Sequence, residues 1–191
     1  MVTSPQQSEQ ALREFKQILD GLEIPFCLFL GTALGAYRDG TYCPGDENDM
    51  DLAIDIKYFD RLSSIKRAVK EQGIFEHNHD FINDDKISPE VSFVKRHGRD
   101  VGYYSKVDLF FISEIEGKKC WRFYLEDDPN NTLTKYFNKK YWDTWDKVTF
   151  FGAEYNVPGY IEEYLTDNYG DWKTPIHRRD WDWKSDNKCE Q

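Results

Sequence analysis

The sequence predicts a mixed α/β (α+β) domain over residues 1–175, built as a mixed β-sheet flanked by helices and followed by a polar tail over 176–191. Three observations predict it. Amphipathic helical stripes lie near both ends of the chain, short apolar runs bounded by Gly and Pro lie between them, and neither an internal repeat nor a low-complexity linker divides the 191 residues. That length suits one domain with a substantial core.

The first helix is read over Ser8–Leu22, where Ala11, Leu12, Phe15, Ile18, Leu19 and Leu22 share a stripe, with Ser4 and Pro5 as an upstream start signal and an end near Gly21. The nearly continuous apolar run Ile24–Leu30 reads as a buried strand stopping at a Gly31-Thr32 turn. A short helix over Ala33–Tyr37 follows, then the breakers Asp39-Gly40 and Pro44-Gly45, then a strand over Met50–Ile54. Tyr58–Gln72 repeats the helical stripe and Gly73 is placed to end it. Val91–Val94 and Val107–Ile112 read as strands, Val148–Val157 as a hairpin around Gly152, and Pro158–Tyr169 as a helix with Gly170 beyond.

An apolar fraction of 39% with 16% aromatics describes a packed globular chain rather than a disordered one. The formal charge of -10 argues against long nucleic acid as a ligand, because a phosphate backbone needs a broad surplus of Lys and Arg. A nucleotide stays possible, since divalent cations reverse the sign of an acidic site. Cys27, Cys43, Cys120 and Cys189 are widely spaced, which reads as free thiols in a reducing compartment. No apolar run reaches the roughly 18 residues of a membrane span, so a cytoplasmic location is expected.

The chemistry concentrates in Asp49-Met50-Asp51-Leu52-Ala53-Ile54. The two-residue period of a strand puts Asp49 and Asp51 on one face and Met50, Leu52 and Ile54 on the other. Neighbouring carboxylates at a partly buried strand repel, and a divalent cation between them is the simplest remedy. Asp108, alone inside an apolar strand, supplies a third oxygen donor if that strand is adjacent, and Mg²⁺ or Mn²⁺ suits such a set. Gly31 and Thr32 at a helix start offer close backbone approach, N–H groups and a hydroxyl for phosphates, and Arg38 offers a guanidinium. An EF-hand loop starting at Asp46 fails, since its sixth position is Asp51 where glycine is needed.

The segments Leu30-Gly31-Thr32-Ala33-Leu34-Gly35-Ala36-Tyr37-Arg38, Asp49-Met50-Asp51 and Val107-Asp108-Leu109-Phe110 resemble, in type and order, the motifs of the LicD family, which includes the fukutin-related proteins. Val157–Leu165 and Tyr169–Pro175 are similar to the family's closing segment, so the resemblance spans nearly the whole chain. Between the first two motifs, Pro44-Gly45-Asp46-Glu47-Asn48 stands where the family usually has Pro-Trp and three acids. The resemblance implies a nucleotidyltransferase fold and divalent metal held by Asp49, Asp51 and Asp108. It also implies transfer of a substituted phosphate, such as phosphocholine or ribitol phosphate, from a CDP-linked donor to a glycan or other hydroxyl acceptor. Two alternatives stand beside it: a nucleotidyltransferase that moves a nucleoside monophosphate from a triphosphate, and a metal- or nucleotide-binding module without turnover.

The remaining polar residues have simpler readings. Lys86, Lys95 and Arg96 read as surface cations, and His77-Asn78-His79-Asp80 as a solvated turn. Trp142 and Trp145 read as core, whereas Trp172 and Trp181 are candidates for the wall of an acceptor cleft.

Overall fold

The computed structural model describes residues 4–98, 104–125 and 131–176; Trp181, Cys189 and the tail from 177 onward lie outside them. Helix α1 (Pro5–Gly21) starts one turn earlier than its apolar stripe. Ser4 and Gln7 form a reciprocal capping box with Pro5 at the first helical position, so the start signal itself is the start. Ala11, Leu12, Phe15, Ile18 and Leu19 on this helix are buried.

The expected strand over Ile24–Leu30 shrinks to β1 (Cys27–Leu28), and α2 (Leu30–Arg38) begins at once. Phe29 donates its N–H to the Asp51 carbonyl at 2.9 Å, and Leu30 then takes a φ of 41°, which turns the chain. Gly31 and Thr32 therefore sit in the first helical turn rather than in a turn before it. Strand β2 (Asp49–Asp55) leads through a 3-10 turn (Ile56–Arg61) into α3 (Leu62–Gln72), which Gly73 ends at φ 66° as expected.

Strands β3 (Glu76–Phe81), β4 (Glu90–Arg96), β5 (Tyr104–Ile115), β6 (Lys118–Tyr124) and β7 (Thr132–Phe137) follow. A short helix α4 (Lys140–Asp143), the hairpin β8 (Trp145–Phe150) and β9 (Ala153–Pro158), and α5 (Ile161–Tyr169) complete the described chain. The β8–β9 turn is Phe151-Gly152, both at positive φ, the geometry that a two-residue hairpin prefers. The last helix starts at Ile161 rather than Pro158, because Pro158 still pairs with Trp145 and Tyr160 turns the chain at φ 52°.

The sheet runs β1-β2-β5-β4-β3, with β6 joined to the far half of β5 and β7 to β6. Among the described residues, β2 and β5 alone pair in parallel, and the other pairings are antiparallel. The fold is thus the mixed sheet flanked by helices that the sequence predicts. Val107, Leu109 and Phe111 of β5 are fully buried on one face, Phe111 edge-on to Phe59 of the 3-10 turn. On the other side Phe29 is surrounded by Phe110, Trp121, Phe137 and Trp142 at centroid distances of 5.6–5.9 Å, and the partly buried Trp142 packs against the core. This aromatic cluster anchors the start of α2 against the sheet. No helix among the described residues is long and apolar enough to cross a membrane.

Candidate active site

The parallel register of β2 and β5 sets Asp49 opposite Lys106 and Asp51 opposite Asp108. Residues directly opposite project to the same face. The antiparallel register then continues the row, with Asp108 opposite Ser92 on β4 and Ser92 opposite His79 on β3. A line of polar side chains thus crosses four strands. Asp49 and Asp51, two positions apart on β2, and Asp108, distant in sequence on β5, each bring a carboxylate oxygen to within 4.8 Å of the others.

Helix α2 holds this centre from above. The buried Thr32 hydroxyl accepts from the Asp51 N–H at 2.9 Å and lies 3.5 Å from the Asp49 carbonyl, so it fixes the backbone that carries both carboxylates. Thr32 stands behind the pair and does not line the cavity in front of it. Gly31 does line that cavity, and a side chain there would crowd the Asp46 carboxylate. A Cβ would stand 3.0 Å from Asp46 Oδ2 and 3.7 Å from Asp51 Oδ2. Asp46 is a member that sequence reasoning passed over; its loop is folded back by Asp46 N–H to Cys43 carbonyl and Asp49 N–H to Asp46 carbonyl bonds of 2.9 and 3.0 Å.

Lys106 was also passed over, although its spacing of two from Asp108 on a strand marks it as a same-face neighbour. Its ammonium lies 2.7 Å from Asp108 Oδ2 and 3.1 Å from Asp49 Oδ1. Burial works against this ammonium, but the Asp108 and Asp49 carboxylates outweigh it and hold the pKa above the ordinary lysine value. Burial, then Asp49, push the Asp108 carboxyl up to about 6 despite Lys106. Asp51 is driven well above the usual carboxylate range by burial, followed by repulsion from Asp49, Asp108 and Asp46. One ammonium does not balance the four carboxylates.

Asp108 tests the fit of a cation. Its side chain is buried, its Oδ2 is taken by Lys106, and its Oδ1 has no hydrogen-bond partner among the described residues. A buried oxygen left open beside two further carboxylates fits a hard divalent cation, which prefers all-oxygen donors. Asp49, Asp51 and Asp108 are the residues that would hold it.

The carboxylates line a cavity of about 490 Å³. Phe81 and Tyr124, stacked at 4.9 Å, form one wall with Phe123; Arg38, Tyr169 and Trp172 form another. Arg38 reaches the cavity with its guanidinium already engaged, chelating the Asp39 carboxylate at 2.6–3.0 Å and donating to the Trp172 carbonyl at 3.0 Å. Trp172 lines the cavity while buried, its Nε1–H donating to Thr166. Lys95 pairs with Glu14 and Arg96 with Glu76, and neither lines the cavity, nor does Lys86. The segment His77-Asn78-His79-Asp80 is not a turn but part of edge strand β3. Its lack of an apolar side hid it from periodicity.

The centre is thus a carboxylate set on a parallel strand pair, beside a short helix with glycine in its first turn. A family model described as LicD/FKTN/FKRP, nucleotidyltransferase domain, matches residues 23–160, and the chain belongs to that family. It is 32% identical over 179 residues to proteins named ribitol-5-phosphate transferase FKTN from Homo sapiens and Macaca fascicularis, and 32% over 180 residues to that of Mus musculus. Each match covers 93% of this chain and 35% of the relative, so the chain spans about a third of the length of these proteins.

Proposed function

We propose that this domain transfers a substituted phosphate, of the ribitol phosphate or phosphocholine kind, from a CDP-linked donor to a hydroxyl of a glycan or smaller acceptor. Mg²⁺ or Mn²⁺ would be held by Asp49, Asp51 and Asp108. The observation that carries this reading is the open, buried Asp108 Oδ1 in a three-carboxylate cluster at the floor of a cavity with aromatic walls. The activity named for the relatives supports the choice of transferred group. Divalent ions bound there supply positive charge to a donor diphosphate that the carboxylates alone would repel.

The chain's own residues supply position and proton transfer. Thr32 keeps Asp49 and Asp51 aimed into the cavity, and Gly31 brings the first turn of α2 to the cavity wall, where helix N–H groups suit phosphate oxygens. Phe81, Tyr124 and Trp172 offer flat faces to a base or sugar. The acceptor oxygen bonds to the phosphorus of the alcohol phosphate as the bond from that phosphorus to the oxygen of CMP breaks. The hydroxyl proton passes to a carboxylate of the cluster, and CMP leaves with the electron pair.

The family description, a nucleotidyltransferase domain, favours one second reading: transfer of a nucleoside monophosphate from a triphosphate. The purified chain incubated with Mn²⁺ and either CDP-linked alcohols or nucleoside triphosphates, with EDTA controls, separates the two. CMP release and metal-dependent thermal stabilisation by a CDP-linked donor are expected. Pyrophosphate release with triphosphates alone would favour the second reading, and no nucleotide-dependent shift at all would sink both in favour of a metal-binding module without turnover.

A further inference from the structure

The polar row does not stop at Asp108. It continues to β3, where the pairing slips between His77 and His79, so that Asn78 is the extra residue of a bulge. Such bulges re-aim side chains beside functional sites. Asn78 Nδ2 lies 3.0 Å from His79 Nδ1 and 3.4 Å from Ser92 Oγ, which secures one ring nitrogen. The other, Nε2, is buried without a hydrogen-bond partner among the described residues and stands 3.6 Å from Glu90 Oε1. That gap is too long for a hydrogen bond. It is close to the spacing of about 3.4 Å between two tetrahedral ligands each about 2.1 Å from one ion. His79, Glu90 and Asp108 each offer a ligand atom, all within 4.8 Å of one another, and His79 and Glu90 line the same cavity.

We propose that His79, Glu90 and Asp108 form a second divalent-cation site, of mixed nitrogen and oxygen donors, that shares Asp108 with the three-aspartate centre. Asp108 has an oxygen to give it, since Lys106 occupies Oδ2 while the buried Oδ1 is open. The donor set selects a borderline ion such as Zn²⁺, because imidazole suits Zn²⁺ whereas Mg²⁺ demands oxygen ligands. These ligands lie on the Phe81 side of the cavity, since His79 packs on Phe81 at 4.4 Å and Glu90 pairs with Phe81 across the strands. The site rests on the reading that this face of the sheet handles metal and phosphate.

The test is calorimetric titration of the metal-stripped chain with Zn²⁺, in the wild type and in His79→Gln, Glu90→Gln and Asp51→Asn, with visible absorption of added Co²⁺ as a second readout. His79→Gln and Glu90→Gln are each expected to bind one Zn²⁺ fewer than wild type. Asp51→Asn should keep the Co²⁺ absorption that His79→Gln loses. Should His79→Gln fail to fold by circular dichroism, Glu90→Gln, an isosteric change at the other ligand, carries the same expectation. Equal Zn²⁺ stoichiometry and affinity in wild type and both site variants would overturn the second site. If ions are then lost only in Asp51→Asn, the functional reading survives without it. A wild type that takes no ion at all would overturn both.

Discussion

Lys106→Met tests whether the ammonium is the built-in counter-charge of the carboxylate centre. The methionine keeps the length and apolar stem of the side chain and removes contacts of 2.7 Å to Asp108 and 3.1 Å to Asp49. Removing one partner of a buried ion pair costs about 3–5 kcal/mol, because the other charge stays buried and unpaired. Here the Lys106 side chain is 25% exposed, so water screens part of that loss. Roughly half, about 2 kcal/mol, is the expected destabilisation of the metal-free protein at pH 7.5. For a chain of this size that lowers the melting temperature by about 4–8 °C. The pH dependence adds a second constraint. In the metal-free wild type the Asp108 pKa is raised to about 6, above its unfolded value, so its contribution is fully present in acid and is lost as pH climbs through about 6. In the variant, burial and Asp49 act on Asp108 without the opposing ammonium, and the loss moves to higher pH. The two proteins are therefore expected to differ most at pH 7.5 and to converge towards pH 5, with Mn²⁺ also narrowing the gap. Thermal unfolding by circular dichroism in EDTA at both pH values measures this. A variant that melts with the wild type at pH 7.5, or whose deficit widens in acid, refutes the role given to Lys106.

Asp51→Asn is expected to abolish transfer while leaving the metal-free fold intact or more stable, since it removes a buried charge repelled by Asp49, Asp108 and Asp46; turnover and melting temperature read the two halves, and retained turnover would remove the central claim. Thr32→Val keeps the shape but leaves the Asp51 N–H without its acceptor, which should cost about 1–3 kcal/mol in denaturant titration and lower turnover with it. Gly159→Ala should fail to fold or lose several °C in melting, because its Cβ would lie 2.3 Å from the Thr144 carbonyl oxygen, a backbone atom that cannot swing away. Trp172→Ala should weaken donor or acceptor binding, measured by calorimetry, and unchanged binding of both would remove Trp172 from the cleft wall.

The carboxylate pair was legible because a strand's two-residue period sorts Asp49 and Asp51 from Met50 and Leu52 with no tertiary information, and the structure buries Met50 and Leu52 completely. Asp108 was legible for a different reason: an acid inside an apolar run demands a partner. Their meeting was not legible, since it depends on β2 and β5 pairing in parallel at one register out of several, which no local signal states. The same gap hid His79 and Glu90. Strand β3 is exposed along most of its length, so Glu76-His77-Asn78-His79-Asp80 carries no apolar alternation and looks like a solvated turn until β4 gives it a partner. The start of α2 was misread for a third reason. Leu30 is apolar and follows a strand, yet it bends at positive φ, a conformation that a β-propensity argument excludes and that sits beside Phe29, packed among five aromatic rings and bonded through its N–H to the Asp51 carbonyl. That strain sits directly beneath Gly31 and Thr32, so the aromatic core of this domain does more than stabilise it: it holds the helix start where the carboxylates need it.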